Sequence, residues 1–227
     1  MIITITQTHS LHGPEYTTEW ESKTYHATVG GLLKRQTVTL SRGDTELCGR
    51  WSPTHWTNHI PLRHLFGVPR LSRSCHVTRN GQDEAIFLHS LHGFGKAFYV
   101  IALWNNTVLH GYDVSRGEFN NLCLYDGEYQ IGLIETYLTA INGCYSHKIY
   151  LLDGRDGGTE YAEKAEVLAL FAIYYANHRF VERGSMYFGT KHQTEWTMSK
   201  YNNRYDSAWR ETHFPDENFF GKLHLFD

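Results

Sequence analysis

No apolar run in this chain is long enough to cross a bilayer as a helix: the longest, residues 167–176, falls well short of the ~20 residues a span requires. Charge bias is missing too. The 21 basic and 24 acidic residues leave a net charge of −3, too little for a broad attraction to nucleic acid or to an anionic membrane, and no nucleic-acid partner is expected. Cysteine is sparse. Cys48, Cys75, Cys123 and Cys144 are widely spaced, form no C-x-x-C pair, and lack the dense framework of small secreted domains. Residues 1–6 alternate like a strand and carry neither the charged n-region nor the apolar h-region of a secretory signal. The expectation is a reducing cytoplasm with all four thiols free.

Aromatic residues, by contrast, are plentiful. They make up 15% of the chain, a composition that suits half-buried strands better than helices and argues against disorder. A chain of 227 residues can bury one substantial core, and all-β barrels of this length remain single domains. Short alternating segments bounded by Gly, Asn, Asp or Pro read as strands at residues 2–8, 24–29, 37–40, 74–78, 85–89, 97–104 and 107–114. A meander follows at 119–125, 129–136, 137–141 and 144–152, punctuated by the turn signals Asp126-Gly127 and Asn142-Gly143. Two portions look alike. Residues 86–88, leading through Gly93 and Gly95 to 99–103, and residues 122–124, leading through Gly127 to 130–134, both read as strand, glycine turn, strand, which hairpins of any β protein produce and which would also fit a barrel of two related halves.

Residues 160–178 break the pattern with a helical signal. From Val167 to Ala176 no face prefers water, so the helix should be buried all round, and its shortness makes the enclosure protein and not lipid. Thr159 or the glycines before it would supply the N-cap.

Tyr112-Asp113-Val114-Ser115-Arg116-Gly117-Glu118-Phe119-Asn120, Leu122-Cys123-Leu124-Tyr125, Gln130-Ile131-Gly132-Leu133-Ile134-Glu135, Tyr150-Leu151-Leu152-Asp153 and the helix Leu168-Ala169-Leu170-Phe171-Ala172-Ile173-Tyr174-Tyr175 together resemble bacterial proteins of the tubby C-terminal-like group, related in fold to the LURP-one and phospholipid scramblase proteins. The resemblance covers roughly residues 84 to 180. It implies a closed antiparallel β-barrel of about twelve strands enclosing a central hydrophobic α-helix. Its motifs are core-packing patterns. The chain departs from the group in two ways: a long tail follows the helix, where the helix of the eukaryotic tubby domain ends the chain, and neither the phosphoinositide-binding basic side chains of tubby proteins nor the calcium segment of scramblases finds a match. No functional residue is carried over. The expected organisation is a barrel over residues 1–180 and an aromatic C-terminal extension, 181–227, packed on it.

Chemical motifs are few. His9-x-x-His12, His55-x-x-x-His59 and His89-x-x-His92 have ligand-like spacing, but none belongs to a His-Glu-x-x-His site, and ordinary surface or hydrogen-bonded histidines are the expectation, with no metal and no cofactor. Gly93-Phe94-Gly95 has no following helix and reads as a hairpin turn. Ser115 and Ser185 lack a nucleophile elbow, and Cys75 and His76 should point to opposite faces of a strand. Asp153-Gly154-Arg155-Asp156-Gly157-Gly158 lacks the ligand positions of an EF-hand and reads as the entry to the helix. In the tail, Lys191, Lys200, Arg204 and Arg210 beside Trp196, Tyr201 and Tyr205 are expected to form a solvated surface, the alternative being contact with a phosphate-bearing ligand or stacking on bases. Residues 214–221 are expected to seal a barrel edge or mouth, the alternative being to dock a partner. No catalytic residue is assigned and the binding residues are left open. Two function classes follow: a cytoplasmic, non-enzymatic binding or adaptor module that meets a protein or a lipid headgroup, or a small-molecule carrier or enzyme with an open lipocalin-like barrel. The position of residues 168–175 discriminates them.

Overall fold

The computed structural model describes residues 1–9, 13–30, 36–52, 70–91, 97–114, 120–141, 144–152, 161, 164–179, 190–192, 202–215 and 217. Twelve strands form the wall of the protein: β1 (Ile2–His9), β2 (Glu15–Trp20), β3 (Lys23–Gly30), β4 (Thr37–Arg42), β5 (Thr45–Trp51), β6 (Arg70–Arg79), β7 (Gln82–Leu91), β8 (Ala97–Leu103), β9 (Val108–Asp113), β10 (Asn120–Asp126), β11 (Tyr129–Ile141) and β12 (Cys144–Leu151). Each pairs antiparallel with the next, and β12 pairs back onto β1 with Ile149 opposite Ile3, so the sheet closes into a barrel. A short β13 (Thr190–His192) adds to the far end of β11, with Lys191 opposite Ala140.

Alternation explains most of the wall. β3 turns Tyr25, Ala27 and Val29 inward and leaves Thr24, His26 and Thr28 in solvent. β2 and β5 are additions to the strands expected from sequence. β2 buries Tyr16, Thr18 and Trp20, while β5 buries Leu47, Gly49 and Trp51, so its inward row lacks a side chain in the middle. Residues 129–136 and 137–141, expected as two strands, form the single β11, whose register with β12 shifts between Tyr137 and Ile141.

The barrel has two unlike rims. The connections after β2, β4, β6, β8 and β10 are tight turns and gather at one rim, the turn rim. Glu21-Ser22 and Asn80-Gly81 place both central residues at positive φ, the geometry that matches the twist of a hairpin. The connections after β1, β3, β5, β7, β9 and β11 belong to the opposite rim. The two look-alike hairpins therefore turn at opposite rims, β7–β8 at one and β10–β11 at the other, and rotation about the barrel axis does not superpose them.

Helix α1 (Ala165–Arg179) fills the barrel. It enters at the turn rim and runs toward the opposite rim; residue 160 and the expected cap at Thr159 lie outside the described residues. Strands about 4.8 Å apart and tilted about 40° close twelve to a backbone diameter of roughly 24 Å, and the lining side chains take about 5 Å from each side. The remaining ~14 Å accommodates a helix that is about 10–12 Å wide with its side chains. Leu168, Leu170, Phe171 and Ile173 project in directions no single face could share, and all four are fully buried. Phe171 meets Phe87 and Tyr99 edge-on at 5.2 and 5.7 Å, and Tyr174 meets Trp51 at 5.5 Å. At Gly49 the wall has no room for a side chain. A Cβ there would lie 2.8 Å from Cys75 Sγ and 2.9 Å from Val38 Cγ1, with Leu170 of the helix at 3.7 Å.

Candidate binding surface

Polar side chains near both ends of α1 meet partners on the barrel wall. At the turn rim, Glu166 stands in the first helical turn, where a carboxylate complements the positive end of the helix dipole. The Tyr25 hydroxyl donates to it at 2.7 Å, and Arg79 donates to both Glu166 and Glu84, the latter at 3.2 Å. Burial and the Glu166 carboxylate raise the Tyr25 pKa. Burial works against the Arg79 charge, yet its hydrogen bonds to Glu166 and Glu84 hold its pKa above the ordinary value. Trp20 stacks on Tyr25 at 4.1 Å, and the Arg42 guanidinium lies 5.5 Å from the same ring. Nearer the other rim, Tyr175 donates to Asn120 at 2.7 Å, and the His147 ring lies 3.0 Å from the Thr136 hydroxyl. Burial lowers the His147 pKa to about 3, so this imidazole is neutral throughout the physiological range and its role is structural.

The outside of the barrel carries a second core. Outward side chains of β10, β11 and β12, Cys123, Tyr125, Leu133 and Tyr150, join Val114 in an apolar cluster buried by Trp209. Trp209 belongs to α2 (Ser207–His213), whose first turn is capped by Asp206 accepting from the Ala208 N–H at 2.9 Å. Sequence chemistry places the ring here: six of the seven α2 residues are polar or small, and Trp209 is the one large apolar side chain. Phe214, just past the helix, packs edge-on to Tyr150 at 5.3 Å. Among these apolar groups lies Glu135 of β11, fully buried although it points away from the lumen. It accepts from the Arg210 guanidinium and, at 3.3 Å, from the Tyr150 hydroxyl. Burial, then the Glu135 charge, drives the Tyr150 pKa upward. Toward the turn rim, Arg204 lies over the rings of Tyr112 and Tyr125 at 4.7 and 5.2 Å and pairs with Glu128 at 3.2 Å. The Tyr125 hydroxyl donates to the Arg204 carbonyl at 2.8 Å, and burial raises its pKa to about 12. Lys148 and Glu217 pair at 3.6 Å at the other end.

On the turn rim itself, Trp104 is 64% exposed on a turn held by hydrogen bonds from its own N–H to the Glu84 carbonyl and from the Asn106 N–H to the Leu103 carbonyl. Glu21, Asp44, Asp83 and Glu128 are exposed along the same rim.

The histidine pairs are not brought together among the described residues. His9 is exposed, His89 is buried and stacks on Tyr99 at 4.5 Å, and His12, His55, His59 and His92 lie outside the described residues. No cluster of metal-ligating side chains occurs among the described residues. Cys75 is buried in the lumen while His76 faces solvent and pairs with Asp83 at 3.2 Å, on opposite faces as expected. Gly93, Phe94, Gly95, Ser115, Ser185 and residues 153–158 lie outside the described set, as do Trp196, Lys200 and Tyr201. Of the basic and aromatic residues of the tail, Lys191 joins the sheet in β13, and Arg204, Tyr205 and Arg210 reach the outer face of the barrel. Glu135 was missed as a site residue. The available signal was a lone acid ending the apolar strand Ile131-Gly132-Leu133-Ile134, matched by an arginine beside a tryptophan in the tail.

No helix among the described residues is long and apolar enough to cross a membrane. Compared with family models, curated proteins and solved structures, the chain matches none.

Proposed function

We propose that this protein is a cytoplasmic, non-enzymatic binding or adaptor module of the tubby C-terminal-like kind, meeting a partner with its turns and outer surface. The observation that carries this reading is the position of α1: the lumen in which an open lipocalin-like barrel would hold a ligand is taken up by the helix. Between a protein and a lipid headgroup, the turn rim supports a protein, because exposed Glu21, Asp44, Asp83 and Glu128 stand beside exposed Arg42 and leave no basic patch for an anionic bilayer. Native mass spectrometry of protein purified from its own cells, beside co-sedimentation with phosphoinositide vesicles, is the test. The expected spectrum is that of the bare chain. A stoichiometric small molecule released only on unfolding would restore the carrier reading, and vesicle binding that survives high salt would move the partner from protein to lipid.

A further inference from the structure

The outward side chains of the barrel fall into three sectors of unlike chemistry. On β2 to β4 they are polar, as at Thr17, Thr24, His26, Thr28 and Thr39. On β10 to β12 they are apolar and α2 covers them. On β7 to β9 they are apolar again, but half-buried or exposed. Ile86, Ala102 and Val108 lie in one row across the three strands, and Leu88, Val100 and His110 lie in the next. The five aliphatic side chains of these rows belong to neither core. Phe98 and Tyr112 make a third row, their ring centroids 6.2 Å apart. Tyr112 also borders the α2 seat, where Arg204 lies over its ring at 4.7 Å, so the two apolar sectors are continuous. Trp104, 64% exposed, closes the turn-rim end beside Val108 at 44%. Three strands about 4.8 Å apart and three rows about 6.8 Å apart make a face of roughly 14 by 20 Å, about 300 Å², a size at which the largest apolar patch of a monomer is often functional.

We propose that this face is the docking site for an amphipathic helix of a protein partner, one whose apolar stripe is bordered by lysine or arginine where it meets the turn rim. The assignment rests on the binding-module reading and gives that reading a place and a partner chemistry. Two features of the face select the occupant. β7, β8 and β9 each have both backbone edges paired within the closed barrel, so a partner cannot add a strand and must meet side chains, as α2 does next door. Charge selects the rest. Asp83 on one side of the face and Glu128 on the other are exposed at the turn-rim end, and the cations there, Arg79 and Arg204, are held by Glu84, Glu166 and Glu128. Burial and Arg204 lower the pKa of His110 within the face, so at neutral pH this ring adds no opposing charge. The stripe therefore docks with its cations toward the two carboxylates, and Trp104 offers an exposed ring to one of them.

The probe is a synthetic amphipathic helix with a leucine stripe bordered by lysines, beside one twin with glutamates in place of the lysines and another with the leucines scrambled. Each is added to the full chain and its binding followed by fluorescence anisotropy. The lysine peptide should bind at least about ten-fold more tightly than either twin. Val100→Gln and Val108→Gln should each weaken it about ten-fold, and Thr39→Gln, in the polar sector, should leave it unchanged. Asp83→Lys combined with Glu128→Lys should invert the order of the lysine and glutamate peptides. If Val100→Gln melts early, Val108→Gln, at a side chain already 44% exposed, takes its place. Equal binding of the lysine and glutamate peptides, binding that Val108→Gln leaves unchanged, or no binding at all overturns the docking site. In a second arm, a photo-reactive residue at position 108 of the full chain is activated in its own cells and the cross-linked peptide is sequenced. A basic amphipathic helix is the expected product, and a cross-link to a second copy of this chain or to lipid overturns the partner assignment. Neither arm touches the binding-module reading, which native mass spectrometry of the lumen decides separately.

Discussion

Inside the barrel, α1 turns Leu168, Leu170, Phe171 and Ile173 against a wall that is apolar where they meet it, and its polar anchors Glu166 and Tyr175 sit near its two ends. Outside, α2 turns one indole and one guanidinium against a wall in which a buried carboxylate stands among apolar side chains. The inner contact surrounds its helix and the outer one touches a single side of it. Between its two polar anchors the inner arrangement is selected by volume and apolarity, since an apolar side chain that fills the ~14 Å lumen satisfies it. The outer arrangement is selected by identity, because Glu135 is met by the Arg210 guanidinium and the Tyr150 hydroxyl. Permanent enclosure and selective contact thus occupy the two faces of the same strands: in β11, Ile134 faces α1 and its neighbour Glu135 faces α2.

The largest test of this contrast is to disrupt the inner contact. Leu170→Glu should prevent folding, since an unpaired charge would enter an apolar core from which no movement of the helix frees it. Phe171→Ala should fold with about 3–5 kcal/mol less stability, read from the denaturation midpoint. If Leu170→Glu melts near the wild-type temperature, the helix has a solvent-facing side and the enclosure is wrong. The second test uses acid. The folded His147 pKa of about 3 lies below the unfolded value, so protons bind the unfolded chain first, and stability present above about pH 6.5 is lost as the pH falls. The loss should approach 1.4 kcal/mol per pH unit between about pH 6 and 4, and His147→Gln should flatten that slope. Burial and nearby Arg204 lower the His110 pKa in the same direction on the outer face, but this ring is half exposed and adds little. The smallest effect belongs to the outer contact. Trp209→Ala should cost less than Phe171→Ala, roughly 1–3 kcal/mol, because the indole packs against one side of the wall and the space it leaves is open to water. A shift as large as that of Phe171→Ala would make the two cores one cooperative body.

The inner arrangement was legible in the sequence and the outer one was not, for a physical reason. A helix with no polar face must be surrounded, so residues 167–176 announce their environment without reference to any other segment. Alternation places most wall strands by the same local logic. It weakened at β5, where inward Gly49 leaves a gap in the row, and at β2, whose Tyr16, Thr18 and Trp20 alternate with Thr17 and Glu19 in a contrast too shallow to stand out. The seat of α2 depends on pairs far apart in the chain: Glu135 and Arg210 are 75 positions apart, and the lone acid at the end of an apolar strand does not name its partner. Trp209 and Phe214 pack on the outer face of β10 to β12, and the aromatic composition of the tail does not name that face.

The order of the chain along the barrel constrains how the molecule can be made. The wall is complete at β12, and only afterwards does the chain deliver α1, which enters at one rim and leaves toward the other with polypeptide attached at both ends. A sealed ring of twelve paired strands has no opening through which such a segment could be pulled, and native chains do not thread themselves through loops. The pairing of β1 with β12 must therefore form after the helix lies against the strands, however early those strands are synthesised. During biogenesis the two edges that later become this seam stay unpaired, a state in which exposed strand edges recruit other chains. Ile3 and Ile149 mark where the ring shuts. The helix is in this sense the mandrel on which the sheet is wound, and expression conditions that delay the C-terminal third of the chain leave an open, self-associating sheet.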